Sequence, residues 1–177
     1  MRRVASFVAC LMLAAAAAPA AVGGEAGRYM TTGEFLATAF PGGPPGSSTL
    51  WVRGDLRAEI ESVLGHPFGS LRVRYWQDGA TSAWILDEIG KELPITIGVT
   101  VTAGEIGQVR ILEFRESRGW EVRYPFFTDQ FRRARLVADG KLDRKIDGIT
   151  GATLSVKAVT RIARVALLLH ETVSTAG

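Results

Sequence analysis

The stretch from Ile95 to Phe114, ITIGVTVTAGEIGQVRILEF, decides the fold class of this chain. Apolar residues alternate with polar or small ones from Ile95 to Thr102, and the alternation resumes from Ile106 to Phe114. A period of two is typical of a half-buried β-strand, and the Ala-Gly pair between the runs is a turn signal. The stretch therefore predicts two antiparallel strands joined by a tight turn.

Two runs further upstream show the same alternation. They extend from Leu71 to Trp76 and from Ser82 to Ile89, and the dipeptide Asp78-Gly79 between them favours another tight turn. Four consecutive strands joined by hairpins predict an antiparallel meander sheet.

The pattern near the C-terminus has the helical period. Apolar residues recur at spacings of three and four from Val156 to Leu169, and basic residues lie on the opposite side. Such a stripe predicts a long amphipathic helix. Together the two patterns indicate the α+β class, an antiparallel meander sheet with packed helices and a long C-terminal helix.

Residues 24–69 predict helices rather than strands. Thr31 and Glu34 have the spacing of a capping box, and a loop rich in Pro and Gly at 41–46 ends the helix that they begin. A second helix is expected from Asp55, as its N-cap, to Gly65, as its C-terminal cap. We therefore expect a helical N-terminal segment at 24–69 and one domain at 70–173.

The first 23 residues have the layout of a secretory signal peptide. A basic start at residues 1–3 precedes an apolar run rich in alanine, and small residues follow Pro19. An uncleaved anchor is the alternative, because the run approaches the ~20 residues of a membrane-spanning helix. Pro19 and the weak hydrophobicity of alanine favour cleavage. We expect an exported protein, either periplasmic or on the outer face of the cytoplasmic membrane.

Composition excludes several classes of function. The chain has 177 residues, of which 47% are hydrophobic and 22% charged, the mix of a globular protein. Its 21 Lys and Arg residues against 18 Asp and Glu give a net charge of +3, too small an excess to indicate nucleic-acid binding. One cysteine and two histidines exclude a disulfide framework and a Cys/His zinc site, so no metal site is expected.

The sequence contains no pattern for nucleophilic catalysis. Neither His66 nor His170 lies near a Gly-x-Ser-x-Gly turn or a cysteine, and we expect structural or surface roles for both. The carboxylates are scattered, and no pair can be placed together from sequence. We therefore assign no catalytic residue.

The loop before the last helix is a candidate phosphate site. Residues 150–155, TGATLS, run directly into that helix. The unpaired N–H groups of a first helical turn and the helix dipole favour an anion, and Gly151 lets the backbone approach a bulky group. The alternative is that a Thr or Ser here only caps the helix.

Residues 147–153, DGITGAT, resemble the flavinylation motif of the FMN-binding domain family. That family includes the small flavoprotein subunits of the Rnf and Na⁺-translocating NADH:quinone reductase complexes. In it, a flavin transferase joins the phosphate of FMN to the last Thr of Ser/Thr-Gly-Ala-Thr as a phosphoester. The resemblance implies covalent FMN on Thr153 and a recognition role for Asp147. The remaining cofactor-binding residues of this segment would be Thr150, Gly151, Ala152, Leu154 and Ser155.

A second segment carries the same resemblance. Residues 116–120, ESRGW, resemble the family's Glu-Thr-Pro-Gly-Leu loop, which borders the flavin ring, with Ser and Arg in place of Thr and Pro. Residues 126–131 resemble the family's Phe-x-x-Gln-Phe segment. The resemblance implies that 70–173 is an FMN-binding domain. It adds five cofactor-binding residues: Glu116, Ser117, Arg118, Gly119 and Trp120.

Nearby side chains leave two alternatives open. Trp120, Tyr124 and Phe126 would either stack on the flavin ring or close the core, and we expect the core for Phe126 and Phe127. Lys157, one turn beyond the motif, would either add a counter-charge to the phosphate or belong to a solvated face.

The resemblance implies an exported electron-transfer flavoprotein rather than an enzyme with its own substrate site. Its partners would be a flavin transferase and membrane-bound or periplasmic electron-transfer proteins, with no nucleic acid. One alternative is an FMN-dependent reductase of a small molecule, although the sequence offers no nicotinamide-binding fingerprint. Another is a flavin-free binding module that keeps the fold.

Overall fold

The structure, a computed structural model, describes residues 27–175. The signal peptide expected at 1–23 lies outside the described residues. The strands are β1 (Gly27–Arg28), β2 (Ser47–Trp51), β3 (Arg72–Asp78), β4 (Thr81–Ile89), β5 (Pro94–Thr102) and β6 (Glu105–Phe114). The α-helices are α1 (Thr32–Ala39), α2 (Gly54–Leu64), the short α3 (Pro125–Thr128) and α4 (Thr153–Thr175).

The predicted meander is present. Strands β3 to β6 pair consecutively and antiparallel, and each begins and ends within two residues of the predicted run. The turn between β5 and β6 has positive φ at both Ala103 (50°) and Gly104 (78°), the conformation of a two-residue hairpin turn. With α4 packed on this sheet, the α+β class is confirmed.

Residues 27–51 correct the expectation of a purely helical N-terminal segment. Besides α1 they contain β1 and β2, which pair with β6 and β3 and form the two edges of a six-stranded sheet. Because β1 and β2 lie at opposite edges and α1 packs on the sheet between them, this segment crosses one face. We call residues 27–51 the N-terminal strap.

Local signals account for most of the helix ends. The capping box of Thr31 and Glu34 is formed at the start of α1, as predicted. Gly65 ends α2 in the left-handed conformation, with φ of 76°. The start of α2 differs from the prediction, because the helix begins at Gly54 with Arg53 as N-cap. Asp55 therefore lies in the first turn, where its charge still suits the helix dipole.

The principal core lies between the sheet and helices α2 and α4. Alternate strand residues such as Trp84 and Ile97 are fully buried there, together with Val159 and Ile162 of α4. The strand alternation and the helical stripe thus meet on one face, as their periods require. None of the described helices is long and apolar enough to cross a membrane.

A smaller core lies on the opposite face, under α1. Phe35 is fully buried and occupies the space above Gly98, since a Cβ on Gly98 would lie 2.8 Å from the Phe35 ring. The other buried residues of this cluster are Leu36, Phe40, Ala83 and Leu112. The strap is therefore part of the folded core and not a loose extension.

Candidate functional site

The two segments singled out from sequence line one cleft. The cleft, of about 540 Å³, lies between the end of β6 and the start of α4. Eight of the twelve predicted cofactor-binding residues line it: Glu116, Ser117, Arg118, Gly151, Ala152, Thr153, Leu154 and Ser155. Segments that are more than thirty residues apart in the chain thus form one concave surface.

A close contact holds the two sides of the cleft together. Gly119 is in the left-handed conformation (φ 88°), and a Cβ on it would lie 2.4 Å from Ser155 Oγ and 3.4 Å from Ala152 Cβ. Both Gly119 and Ser155 are buried. Gly119 is therefore needed for both its φ and its lack of a side chain, and it positions the loop against α4 rather than contacting the cleft.

The start of α4 leaves its hydroxyls free of the helix. Helix α4 begins at Thr153, and Ala152 precedes it with its carbonyl accepting from the Val156 N–H. Among the described residues, no side chain caps the first-turn N–H groups, so the alternative of a Thr or Ser N-cap is not what the fold uses. Thr153 is exposed, and its hydroxyl lies beside the uncapped end of a 23-residue helix.

Gly151 gives the loop before α4 its shape. Its φ is 83°, and a Cβ built on it would meet nothing within 4 Å. The glycine is therefore required by the backbone conformation, while the space next to it remains open. An open approach to the backbone at the start of a helix is the arrangement that suits a bulky anion.

Glu116 ties the neighbouring turn to the cleft. Its buried Oε1 accepts hydrogen bonds from the N–H groups of residues 91, 92 and 93, at 2.5, 2.6 and 2.9 Å. Burial acts most strongly on this group and opposes its charge, but the three N–H groups and Lys91 together hold the pKa of Glu116 below its usual value. Glu116 is thus a charged residue that fixes the turn between β4 and β5.

Lys91, in that turn, is a lining residue that sequence reasoning missed. The available signal was topological. The turn between two strands of an antiparallel meander lies at the same sheet end as the exit of the following strand, so 90–93 had to approach 115–119. With Arg118, Lys91 gives the cleft two cationic side chains beside the first turn of α4.

Four of the predicted residues do not line the cleft. Asp147 and Thr150 are exposed in the loop that leads to α4, and the Asp147 N–H donates to Gln130 Oε1 at 2.7 Å. Gly119 acts through the contact described above. Trp120 is half-buried in the 3₁₀ turn that follows the cleft loop.

Trp120 begins an aromatic cluster on the surface. Its ring meets Tyr124 edge-on with centroids 5.7 Å apart, and Tyr124 lies 6.2 Å from Phe126. Phe126 is 63% exposed, so our expectation that it belongs to the core is wrong, whereas Phe127 is fully buried as expected. Adjacent side chains of a helix point about 100° apart, so Phe126 and Phe127 of the short α3 face different directions.

His66 bridges elements near the end of β4. Its Nε2 lies 3.0 Å from Oε1 of the buried Glu88, which also accepts from Arg161 of α4 at 3.2 Å. The hydrogen bond to Glu88, followed by that to the Pro67 carbonyl, raises the pKa of His66. This cluster joins the end of α2 to β4 and α4.

His170 is buried in a polar network at the other end of α4. The Gly104 N–H donates to its Nε2 at 3.2 Å, so the neutral ring carries its proton on Nδ1, which lies 2.7 Å from Ser82 Oγ. The ring therefore donates to the serine and is not oriented to take its proton. Burial lowers the pKa of His170, which keeps the ring neutral.

The comparison with protein families agrees with the resemblance found in the sequence. Residues 90–168 match the model of the FMN-binding domain family. The match covers a little under half of the chain and contains both segments that line the cleft. This part of the chain is therefore an FMN-binding domain, and the protein is a flavin-binding protein. No curated protein and no solved structure matches the chain.

The residues present fit FMN in size and charge. A volume of about 540 Å³ lies within the range of about 300–1,000 Å³ typical of small-molecule sites. The uncapped N–H groups of α4, Lys91 and Arg118 would hold the phosphate, because each favours negative charge. No group of His, Cys, Asp and Glu within 27–175 is arranged to hold a metal ion.

Proposed function

We propose that this protein is an exported electron-transfer flavoprotein that carries FMN on Thr153 through a phosphoester bond. One observation carries the proposal. Thr153 is exposed at the uncapped start of α4 and lines a cleft that both motif segments form. A hydroxyl in that position needs no rearrangement of the fold to become the attachment atom.

The attachment step uses few groups of this chain. A flavin transferase would transfer the FMN phosphoryl group of a flavin dinucleotide to Thr153 Oγ1. The new P–O bond forms as the pyrophosphate bond of the donor breaks, a nucleoside monophosphate leaves, and the hydroxyl proton passes to a base of the transferase. The first-turn N–H groups of α4, with Lys91 and Arg118, would then stabilise the bound phosphate. We expect Asp147 and Thr150, exposed in the loop, to be recognised by the transferase rather than to contact the flavin.

Electron transfer is the role that suits the cleft. Bound FMN accepts and donates one or two electrons, and the protein supplies attachment and electrostatics. Glu116, whose carboxylate is held charged by three N–H groups, is a poor proton donor at neutral pH. The partners proposed for this role are membrane-bound or periplasmic redox proteins. Covalent attachment suits export, because freely dissociating FMN would be lost outside the cytoplasm.

Substitution of Thr153 tests the proposal. The chain is produced together with a flavin transferase and separated by denaturing electrophoresis, and flavin fluorescence is measured in the protein band. We expect fluorescence in wild type and in Thr153→Ser, which keeps a hydroxyl, and none in Thr153→Ala.

Thr160→Ala is the matched control, since it makes the same chemical change two turns along the same helix. It should retain the flavin. Equal fluorescence in wild type and Thr153→Ala, or none in wild type, would overturn the assignment. Intact mass of the exported protein would at the same time show whether residues 1–23 are removed.

A further inference from the structure

The cleft between β6 and α4 described above is called the flavin cleft from here on. A second concave surface lies along α4 and shares no lining residue with it. We call it the basic groove. It has a volume of about 420 Å³ and lies between α4 and residues 141–146. Five of its nine lining residues are cationic: Lys141, Arg144, Lys157, Arg161 and Arg164.

Apolar side chains line the groove between the charges. Leu142, Ile146 and Val156 are half-buried, and all three pack against the principal core. No acidic side chain within the described residues lines the groove. An apolar floor under a rim of cations is suited to a ligand that is both anionic and partly apolar.

Three of the cations are held in place by the fold. Arg144 donates to the carbonyls of Arg132 and Arg133 at 2.9 and 3.1 Å. Arg164 donates to the Gly140 carbonyl at 2.6 Å, and Arg161 is paired with the buried Glu88. Because these guanidinium groups are already ordered, a ligand that meets them loses less conformational entropy on binding.

The charge of the groove is not cancelled by its neighbours. Asp139 pairs with Lys141, Asp143 with Arg144 and Glu88 with Arg161, which leaves two cations in excess. Neither Lys157 nor Arg164 has a carboxylate at salt-bridge distance among the described residues. The groove therefore attracts an acidic ligand and is not a self-neutralised ion-pair network.

The groove lies next to the proposed flavin site. Lys157 follows Thr153 by four residues, which is one helical turn or about 6 Å along the axis. We propose that the basic groove docks an acidic segment, with an apolar side chain between its carboxylates, on the redox partner of this protein. The redox role of that partner rests on the function proposed above. The docking itself does not need the flavin.

The shape of the groove favours a protein segment over other anionic partners. A nucleic-acid backbone offers phosphates for the cations but no apolar group for the apolar floor of the groove. A peptide strand carries both carboxylates and apolar side chains at the required spacing. Charge attraction of this kind speeds the encounter of partners and weakens in salt, as transient electron-transfer complexes require.

Binding of a defined peptide tests the proposal. The probe is a fluorescein-labelled synthetic peptide, Glu-Glu-Leu-Glu-Glu-Leu-Glu-Glu, titrated with the full chain and followed by fluorescence anisotropy. We expect binding at about 0.1 M NaCl and loss of at least about tenfold in affinity at about 1 M, where the screening length falls from about 10 Å to about 3 Å. A peptide with Gln in place of Glu should not bind.

The variant pair Lys141→Gln and Lys157→Gln removes two exposed cations of the groove. We expect it to weaken peptide binding about tenfold, because charge complementarity is the main source of recognition. The control pair is Arg72→Gln and Arg74→Gln, which removes the same charge from exposed positions of β3, on the sheet face opposite α4. The control should bind as wild type does.

Two results would overturn the docking proposal. One is an absence of peptide binding at low salt, and the other is equal binding by the groove and control variants. Vesicles of phosphatidylglycerol provide a further outcome, since groove-dependent co-sedimentation with vesicles and no peptide binding would assign the groove to a membrane.

Thr153→Ala is titrated in parallel. Peptide binding without flavin attachment in wild type would overturn the electron-transfer function and leave the docking surface standing.

Discussion

Gly119 and Gly151 have nearly the same backbone conformation but different surroundings. Their φ values are 88° and 83°, yet a Cβ on Gly119 would collide with Ser155 Oγ while one on Gly151 would meet nothing. The two residues therefore separate the cost of a left-handed φ from the cost of a steric clash. Gly119 lies in the loop on one side of the cleft, and Gly151 lies in the loop on the other side.

We expect Gly119→Ala to lower the free energy of unfolding by about 2–4 kcal/mol, from backbone strain and overpacking together. Gly151→Ala should cost only about 1–2 kcal/mol, from the backbone alone. Urea unfolding of both variants measures the difference. Adding Ser155→Ala to Gly119→Ala should restore part of the loss, and equal costs for the two glycine variants would contradict the contact.

The two histidines respond to pH in opposite directions. The pKa of His66 is raised by Glu88, so its contribution to stability is complete below its unfolded value of 6.5 and is lost as pH rises through the folded pKa. The pKa of His170 is lowered by burial, so its contribution is present above 6.5 and is lost as pH falls. In wild type the two pH windows adjoin near 6.5, so together the two histidines favour a maximum of stability near that pH.

Removing His66 should therefore change how stability depends on pH. We expect His66→Ala to be less stable than wild type at about pH 5.5 and nearly equal to it at about pH 8. The difference should stay below about 1 kcal/mol, because the His66 side chain is 42% exposed and its ion pair is screened. The free energies of unfolding of wild type and His66→Ala are measured across this pH range. A difference between the two proteins that did not vary with pH would contradict the linkage.

At the scale of elements, helices α1 and α3 each carry a phenylalanine near their start, and the two side chains differ in burial. Phe35 of α1 is fully buried on the outer face of the sheet, whereas Phe126 of α3 is 63% exposed. Phe35 follows the predicted capping box of α1, and Phe126 follows Pro125, the first residue of α3. Their packing in the fold makes one buried and the other exposed. Replacing each phenylalanine by alanine compares the stability contributed by a buried ring of the strap with that contributed by an exposed ring of α3.

Phe35→Ala should lower the free energy of unfolding by about 3–5 kcal/mol, because it leaves a cavity above Gly98. Phe126→Ala should change it by no more than about 0.5 kcal/mol, since the ring is exposed. Chemical denaturation of both variants checks this. Similar costs would mean that the smaller core does not stabilise the fold.

For the whole molecule, the N-terminal strap decides which strands form the edges of the sheet. Without β1 and β2, the outer strands β6 and β3 would present unpaired N–H and C=O groups to solvent. The smaller core would also lose Phe35, Leu36 and Phe40. The FMN-binding domain match at 90–168 therefore describes only part of what must fold together.

A chain that begins at Gly54 should fail to give a stable monomer, because exposed sheet edges and apolar surface promote association. A chain that begins at Gly24, without the expected signal peptide, is the control and should be monomeric with a cooperative thermal transition. Size-exclusion chromatography and thermal melts compare them. A monomeric short chain with the same Tm would show that the strap is dispensable.

Much of the lining of the cleft could be predicted because its residues lie in two local sequence motifs. The Thr-Gly-Ala-Thr motif and the 116–120 segment were recognised from sequence, and the fold brings most of their residues to one cleft. Lys91 was missed because it approaches the cleft only through the pairing of β4, β5 and β6. That turn carries no motif of its own.

The sequence by itself determined the four-stranded meander and the long helix α4, because residue periodicity is a local property that each segment carries with it. Only the tertiary structure decided the positions of β1 and β2, since Gly27–Arg28 and Ser47–Trp51 are short edge strands whose partners are distant in the chain. It also decided the exposure of Phe126 and the lining of the basic groove. These depend on which faces of the elements meet, a choice made by packing rather than by any single segment.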